Sequence, residues 1–95
     1  MNIVGKTDTG IDVIGGVFKM VDTYGIPLEI ILIKFKEDGL LVDWCDFIDN
    51  ALNSNWKISS ALTKIEMAVS DIYGRDYSKE VILRLQYHIA KKANE

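Results

Sequence analysis

The chain is a succession of stretches with an apolar period of three to four, separated by brief polar or glycine-containing breaks, and that pattern predicts helices. Val13, Val17, Met20, Val21 and Tyr24 define the first apolar stripe. Asp12 is its expected cap, because a carboxylate there can accept the unpaired amide hydrogens of a first turn. Gly15 and Gly16 weaken this helix by about 1 kcal/mol each relative to alanine, and would let a neighbouring helix come close. Gly25 stands where a left-handed stop belongs, and Pro27 suits the first turn of the next helix. From Leu28 to Asp38 the residues are apolar nearly all round, through Leu28, Ile30, Ile31, Leu32, Ile33 and Phe35. A helix without a polar face belongs at the centre with neighbours on both sides, although this β-branched run would also suit a buried strand. Gly39 ends it.

Asp43 opens a third helix. At about 100° per residue, Trp44, Phe47, Ile48, Ala51 and Leu52 share one arc. Asp43, Asp46, Asp49, Asn50 and Asn53 fill the opposite one, and Asn53-Ser54-Asn55 marks the end. The fourth helix has the cleanest stripe: Ile58, Ala61, Leu62, Ile65, Ala68, Val69 and Ile72, with Ser60, Thr63, Lys64 and Asp71 facing away and Gly74 as the stop. Ser78 is the expected cap of the last helix, whose main stripe is Val81, Ile82, Leu85 and Ile89. Leu83, Tyr87 and Ala90 form a second stripe, and Lys91 and Lys92 suit the negative end of the helix dipole.

Residues 1–11 show no period and are expected as a loose, flexible N-terminal arm. The fold class that follows is all-α: a compact bundle of about five short helices over residues 12–95, as one domain. Short connections make consecutive helices antiparallel or steeply crossed neighbours, with the second and fourth at the centre. The expected core is Ile31, Leu32, Phe35, Phe47, Ile48, Leu62, Ile65, Val69, Ile72, Leu85 and Ile89.

Composition narrows the class further. Ninety-five residues, 48% hydrophobic and 26% charged, are too apolar for a disordered chain and too polar for a membrane protein. One cysteine excludes an internal disulfide and fits a reducing compartment. No stretch reads as a signal peptide or approaches the roughly 20 apolar residues of a spanning helix, so a cytoplasmic protein is expected, away from membranes. Eleven basic against fourteen acidic residues give a formal charge of −3, which weighs against a dedicated nucleic-acid binder.

The candidate chemistry is sparse. Cys45 and His88 are the only thiol and the only imidazole, and a nucleophilic cysteine needs a base to take its proton. Cys45, however, falls at the border of the apolar arc inside a helix, where the amide hydrogens are already bonded and cannot form an oxyanion hole. It is expected as a packed thiol and His88 as a core-edge histidine. Asp43, Asp46 and Asp49 recur every three residues, which spreads them over the helix surface instead of converging them on one point. They are expected as a solvated face, with docking of a basic partner as its functional reading. No calcium-loop pattern or zinc spacing occurs, and no metal or cofactor is expected. Gly5-Lys6-Thr7 matches only the tail of a phosphate-binding loop, with too few residues ahead of it for the strand that motif requires. Trp44, Trp56 and the tyrosines continue apolar stripes and are expected as core or interface anchors. Met67 lies opposite the stripe of the fourth helix. With Leu83 and Tyr87 on the second stripe of the last helix, it marks a partner surface or a self-association face.

The string Phe18-Lys19-Met20-Val21-Asp22-Thr23-Tyr24-Gly25-Ile26-Pro27-Leu28 resembles alanyl-tRNA synthetases. That family carries Phe-Lys-(apolar)-x-Asp-Thr-Tyr-Gly-(apolar)-Pro in the helical region after its catalytic core. The likeness extends more loosely through Gly39, Val42-Asp43 and Phe47, so it spans residues 18–47. It implies a helical region associated with tRNA recognition, for which Lys19, Lys34, Lys36 and Arg75 are the candidate RNA contacts. The residues before Phe18 are too few for the family's catalytic motifs, and one His with one Cys cannot supply its editing metal ligands. Aminoacylation is therefore not expected. The leading expectation is a non-catalytic interaction module, an adaptor or inhibitor of the kind phages and mobile elements encode, binding a protein partner or a second copy of itself. Its partner surface would draw on Asp43, Asp46, Asp49, Met67, Leu83 and Tyr87. RNA binding through the synthetase-like joint is the second.

Overall fold

A computed structural model of the chain describes residues 2–94. Five helices dominate it, but its N-terminal part is a small sheet, so the fold is mostly helical and not all-α. The stretch expected as a loose arm pairs as strand β1 (Asn2–Lys6), antiparallel to β2 (Asp12–Gly15). The register matches Asn2 with Gly15, Ile3 with Ile14, Gly5 with Val13 and Lys6 with Asp12, and a bulge falls between Ile3 and Gly5. Thr7 closes the hairpin turn: its N–H donates to the Ile11 carbonyl at 2.9 Å, and its Oγ1 accepts the Ile11 N–H at 3.1 Å. Asp12 is therefore a strand residue paired with the Lys6 ammonium, and it caps no helix.

Helix α1 spans only Val17–Asp22. Gly16, at φ 78°, marks its start, and that left-handed backbone keeps the helix from extending back through Val13. The close approach foreseen at the glycine pair exists at Gly15, but a strand makes it: a Cβ there would stand 2.9 Å from Val4 Cγ1. Tyr24, expected on the first buried stripe, is exposed beyond the end of α1. Helix α2 (Leu28–Asp38) follows, stopped by Gly39 at φ 68°. Strand β3 (Leu40–Val42) then joins β2 in parallel, completing the order β1-β2-β3. Parallel neighbours require a crossover connection, and α1 with α2 supplies it.

Helix α3 (Trp44–Asn53) begins at Asp43, whose Oδ1 accepts the Asp46 N–H at 3.1 Å as the spacing predicts. Helices α4 (Ile58–Tyr73) and α5 (Arg75–Ala93) form a hairpin about Gly74, at φ 99°. Ser78 is not the cap of the last helix. It lies inside α5, buried, with its Oγ donating to the Glu66 carbonyl of α4 at 3.1 Å. A hydroxyl that bonds a neighbouring backbone can be buried where an unpaired one would be costly.

The core lies where α4 meets α2, α3 and α5. Ile31, Leu32, Phe35, Phe47, Ile48, Ile65, Val69 and Leu85 are buried as expected, whereas Leu62, Ile72 and Ile89 are only partly covered at its margin. The sheet and α1 add Ile14, Val17, Phe18 and Val42. Phe18, Phe47 and Trp56 meet edge to face at 5.1–6.4 Å, joining α1 to α3 and the loop after it. Each large apolar side chain so enclosed contributes roughly 1.5–3 kcal/mol. Helix α2 is less central than its composition implies: Ile30 and Ile33 face solvent. None of the described helices is long and apolar enough to cross a membrane.

Candidate functional site

The three aspartates of α3 are half-buried, and each is bonded within the chain. Asp43 caps its own helix. Asp46 reaches across to the turn between β2 and α1: its Oδ2 accepts the Gly16 N–H at 2.9 Å, and its Oδ1 accepts from Asn50 Nδ2 at 3.2 Å. Asp49 ties α3 to the end of α5, accepting from His88 Nε2 at 2.9 Å and from Lys92 Nζ at 3.0 Å. Partial burial raises the carboxyl pKa of Asp49, but the hydrogen bonds and positive charge of His88 and Lys92 outweigh that and hold it below the ordinary value. The expected solvated acidic face is thus a set of internal fastenings. Among the described residues no His, Cys, Asp and Glu side chains gather as a metal-binding group.

Cys45 sits one helical turn before Asp49 and is partly buried. Burial pushes its thiol pKa up, the Asp43 and Asp49 carboxylates push it further, and Arg84 and Lys92 offset only part of this. A thiol whose anion is disfavoured is a poor nucleophile at neutral pH. His88, the only candidate base, already points its Nε2 at Asp49. Gly5 and Lys6 lie on β1 and lead into a hairpin turn instead of a helix, so their backbone forms no phosphate loop.

The four candidate RNA contacts do not share one element. Lys19 is on α1, Lys34 and Lys36 on α2, and Arg75 at the start of α5. Lys34 pairs with Asp38 at 3.5 Å. Lys36 donates to the Ile72 carbonyl at 2.9 Å while lying over the Tyr73 ring, a hold between α2 and α4. The synthetase-like string itself covers α1 from its second residue, the joint from Thr23 to Pro27 and the first residue of α2, with Phe18 and Leu28 in the core.

A surface depression of about 720 Å³ lies between α4 and α5, and no residue of α3 lines it. Met67 stands on its α4 side and Leu83 on its α5 side, 63% and 67% exposed. Half-buried Ile82 and buried Ser78 lie deeper, held by the Ser78–Glu66 bond. Tyr87, one turn beyond Leu83 on α5, is 72% exposed. Charge divides by helix: the α4 lip carries Glu66 and Asp71, the α5 lip Arg75 and Lys79. Among the described residues none of these four has an ion-pair partner. The structure therefore brings together Met67, Leu83 and Arg75 from the sequence-level candidates, adds Glu66, Asp71 and Lys79, and places Asp43, Asp46 and Asp49 elsewhere. The added charges carry no motif in the sequence; only the hairpin register makes them two opposed rows. No family model, no curated protein and no solved structure matches this chain.

Proposed function

We propose that the protein is a non-catalytic interaction module that presents the α4–α5 groove to a protein partner. The observation that carries this reading is the pair Met67 and Leu83, two large apolar side chains held in water on opposite sides of one groove. Covering them on association would contribute on the order of 1–2 kcal/mol each. The unpaired charges along both lips would fix orientation more than affinity. The groove is lined by neither histidine nor cysteine, a composition that suits recognition better than catalysis. Zero-length crosslinking followed by mass spectrometry, on wild type and on a Met67→Glu/Leu83→Glu double variant in cell extract, tests the reading. Wild type should give protein crosslinks from the groove that the variant loses. Identical crosslink patterns for the two would defeat it.

A further inference from the structure

We infer that the occupant of the α4–α5 groove is a second copy of this chain, packed face to face about a two-fold axis running along the hairpin. The inference rests on the groove being the interaction surface, and it specifies the partner.

A two-fold interface must be self-complementary: where residue i meets residue j of the copy, j must meet i. The groove satisfies this twice. The first match is apolar. Met67 precedes the Gly74 hinge and Leu83 follows it, which at 1.5 Å per residue sets them about 10 Å and about 14 Å along their helices. Side chains tilt toward the N-terminus of their own helix. In this antiparallel hairpin that carries Met67 away from the hinge and Leu83 back toward it, so the two tips converge on one level. Both line the same depression. Rotation about an axis parallel to the hairpin lays α4 of one copy over α5 of the other. Met67 then meets Leu83 of the second copy, and Leu83 meets its Met67.

The second match is electrostatic. Glu66 and Asp71 form the α4 lip, Arg75 and Lys79 the α5 lip. The same rotation places each acidic lip over a basic one. Asp71, about 4 Å from the hinge, falls between the levels of Arg75 at about 2 Å and Lys79 at about 8 Å. A two-fold perpendicular to the hairpin within the interface plane would instead set α4 on α4, acid against acid. Charge thus selects one orientation out of the two that would bury the apolar groove. The product is a four-helix arrangement, a common way for two helical hairpins to enclose their apolar sides.

Charge exchange tests this. Sedimentation velocity should show wild type as a concentration-dependent dimer. Glu66→Lys/Asp71→Lys makes both lips basic, and Arg75→Glu/Lys79→Glu makes both acidic. Each variant alone should dissociate more readily, raising Kd by about tenfold or more, while far-UV circular dichroism stays that of wild type. An equimolar mixture should recover a heterodimer of the two masses in native mass spectrometry, because each basic lip then faces an acidic one. The neutral variant Leu83→Gln should weaken the dimer by a similar factor without altering the charge pattern. Charge variants that dimerise as well as wild type would overturn the inference, and so would a mixture that stays monomeric when wild type does not. A wild type that remains monomeric to its solubility limit while the groove still crosslinks to another protein would remove the second copy as occupant and leave the interaction reading standing. Monomer without groove crosslinks would end both.

Discussion

The acidic side of α3 and the charged lips of the α4–α5 groove are built from similar side chains at similar helical spacing, yet the fold uses them in opposite ways. At α3, Asp43, Asp46 and Asp49 each find donors: an amide of their own helix, an amide of the β2–α1 turn, and the imidazole and ammonium at the end of α5. At the groove, Glu66, Asp71, Arg75 and Lys79 have no ion-pair partner among the described residues, and apolar Met67 and Leu83 stand in water between them. The difference comes from what the topology places alongside. α3 is enclosed by the β2–α1 turn on one side and the last turns of α5 on the other. None of the described residues outside the hairpin covers its outer face. A charge cluster on a helix is therefore not by itself a surface; its role depends on whether another element's donors reach it.

Removing a carboxylate from α3 should therefore weaken the fold, and removing a side chain from the groove should not. The largest effect is expected at Asp46. Asp46→Ala leaves the Gly16 N–H without its acceptor beside the sheet, and it strips a negative charge from the first turn of α3. Hydrogen bonds to a charged group are worth about 1.5–3 kcal/mol, so urea unfolding should register a loss of about that size. Asp46→Asn can still accept the Gly16 N–H and should lose less. Asp43→Ala comes next at about 1 kcal/mol, the usual cost of deleting a cap. An unchanged midpoint for Asp46→Ala would return α3 to the status of a solvated face.

Asp49 gives a smaller effect with a distinctive dependence on pH. Its carboxyl is held below the ordinary 3.8 in the folded protein, so the unfolded chain binds the proton more readily than the folded one does. The stabilisation is fully present above the unfolded value and disappears as the pH falls through the folded one. The stability difference between wild type and Asp49→Asn should shrink as acid is added below about pH 4. A difference that does not change with acidification would mean that the contact with His88 and Lys92 is not electrostatic.

Part of this contrast was legible in the residues and part was not. Helices α3 to α5 are long enough for their period to show, the Asp43 cap follows from a carboxylate at the start of such a period, and the exposed position of Met67 follows from angular spacing. The sheet did not show. β2 has four residues and β3 three, too few for alternation to stand out against noise. Its glycines at 15 and 16 read as flaws in a helix when they are the end of a strand and the turn into α1. Ser78 reads as a cap because Gly74 looks like a longer break than it is; one residue at positive φ turns the chain, and α5 begins at once. The role of Asp46 depends on a residue 30 positions away, and no local pattern carries a contact of that span.

The smallest expected effect on stability is also the sharpest test of the contrast. Met67→Glu and Leu83→Glu exchange water-exposed apolar side chains for charged ones on helix surfaces, without emptying the core or breaking a bond of the fold. Substitutions of that kind stay within about 0.5 kcal/mol, so the isolated monomer should unfold at nearly the wild-type urea concentration. Glutamate is also a better helix former than most exposed alternatives, which keeps the local term small. At concentrations where wild type associates, its unfolding midpoint should rise with protein concentration, because assembly stabilises the folded form by mass action. The variants should lose that rise. A double variant destabilised by several kcal/mol as a monomer would show that Met67 and Leu83 support the hairpin itself, and the groove would then belong with α3 as a fastening of the fold.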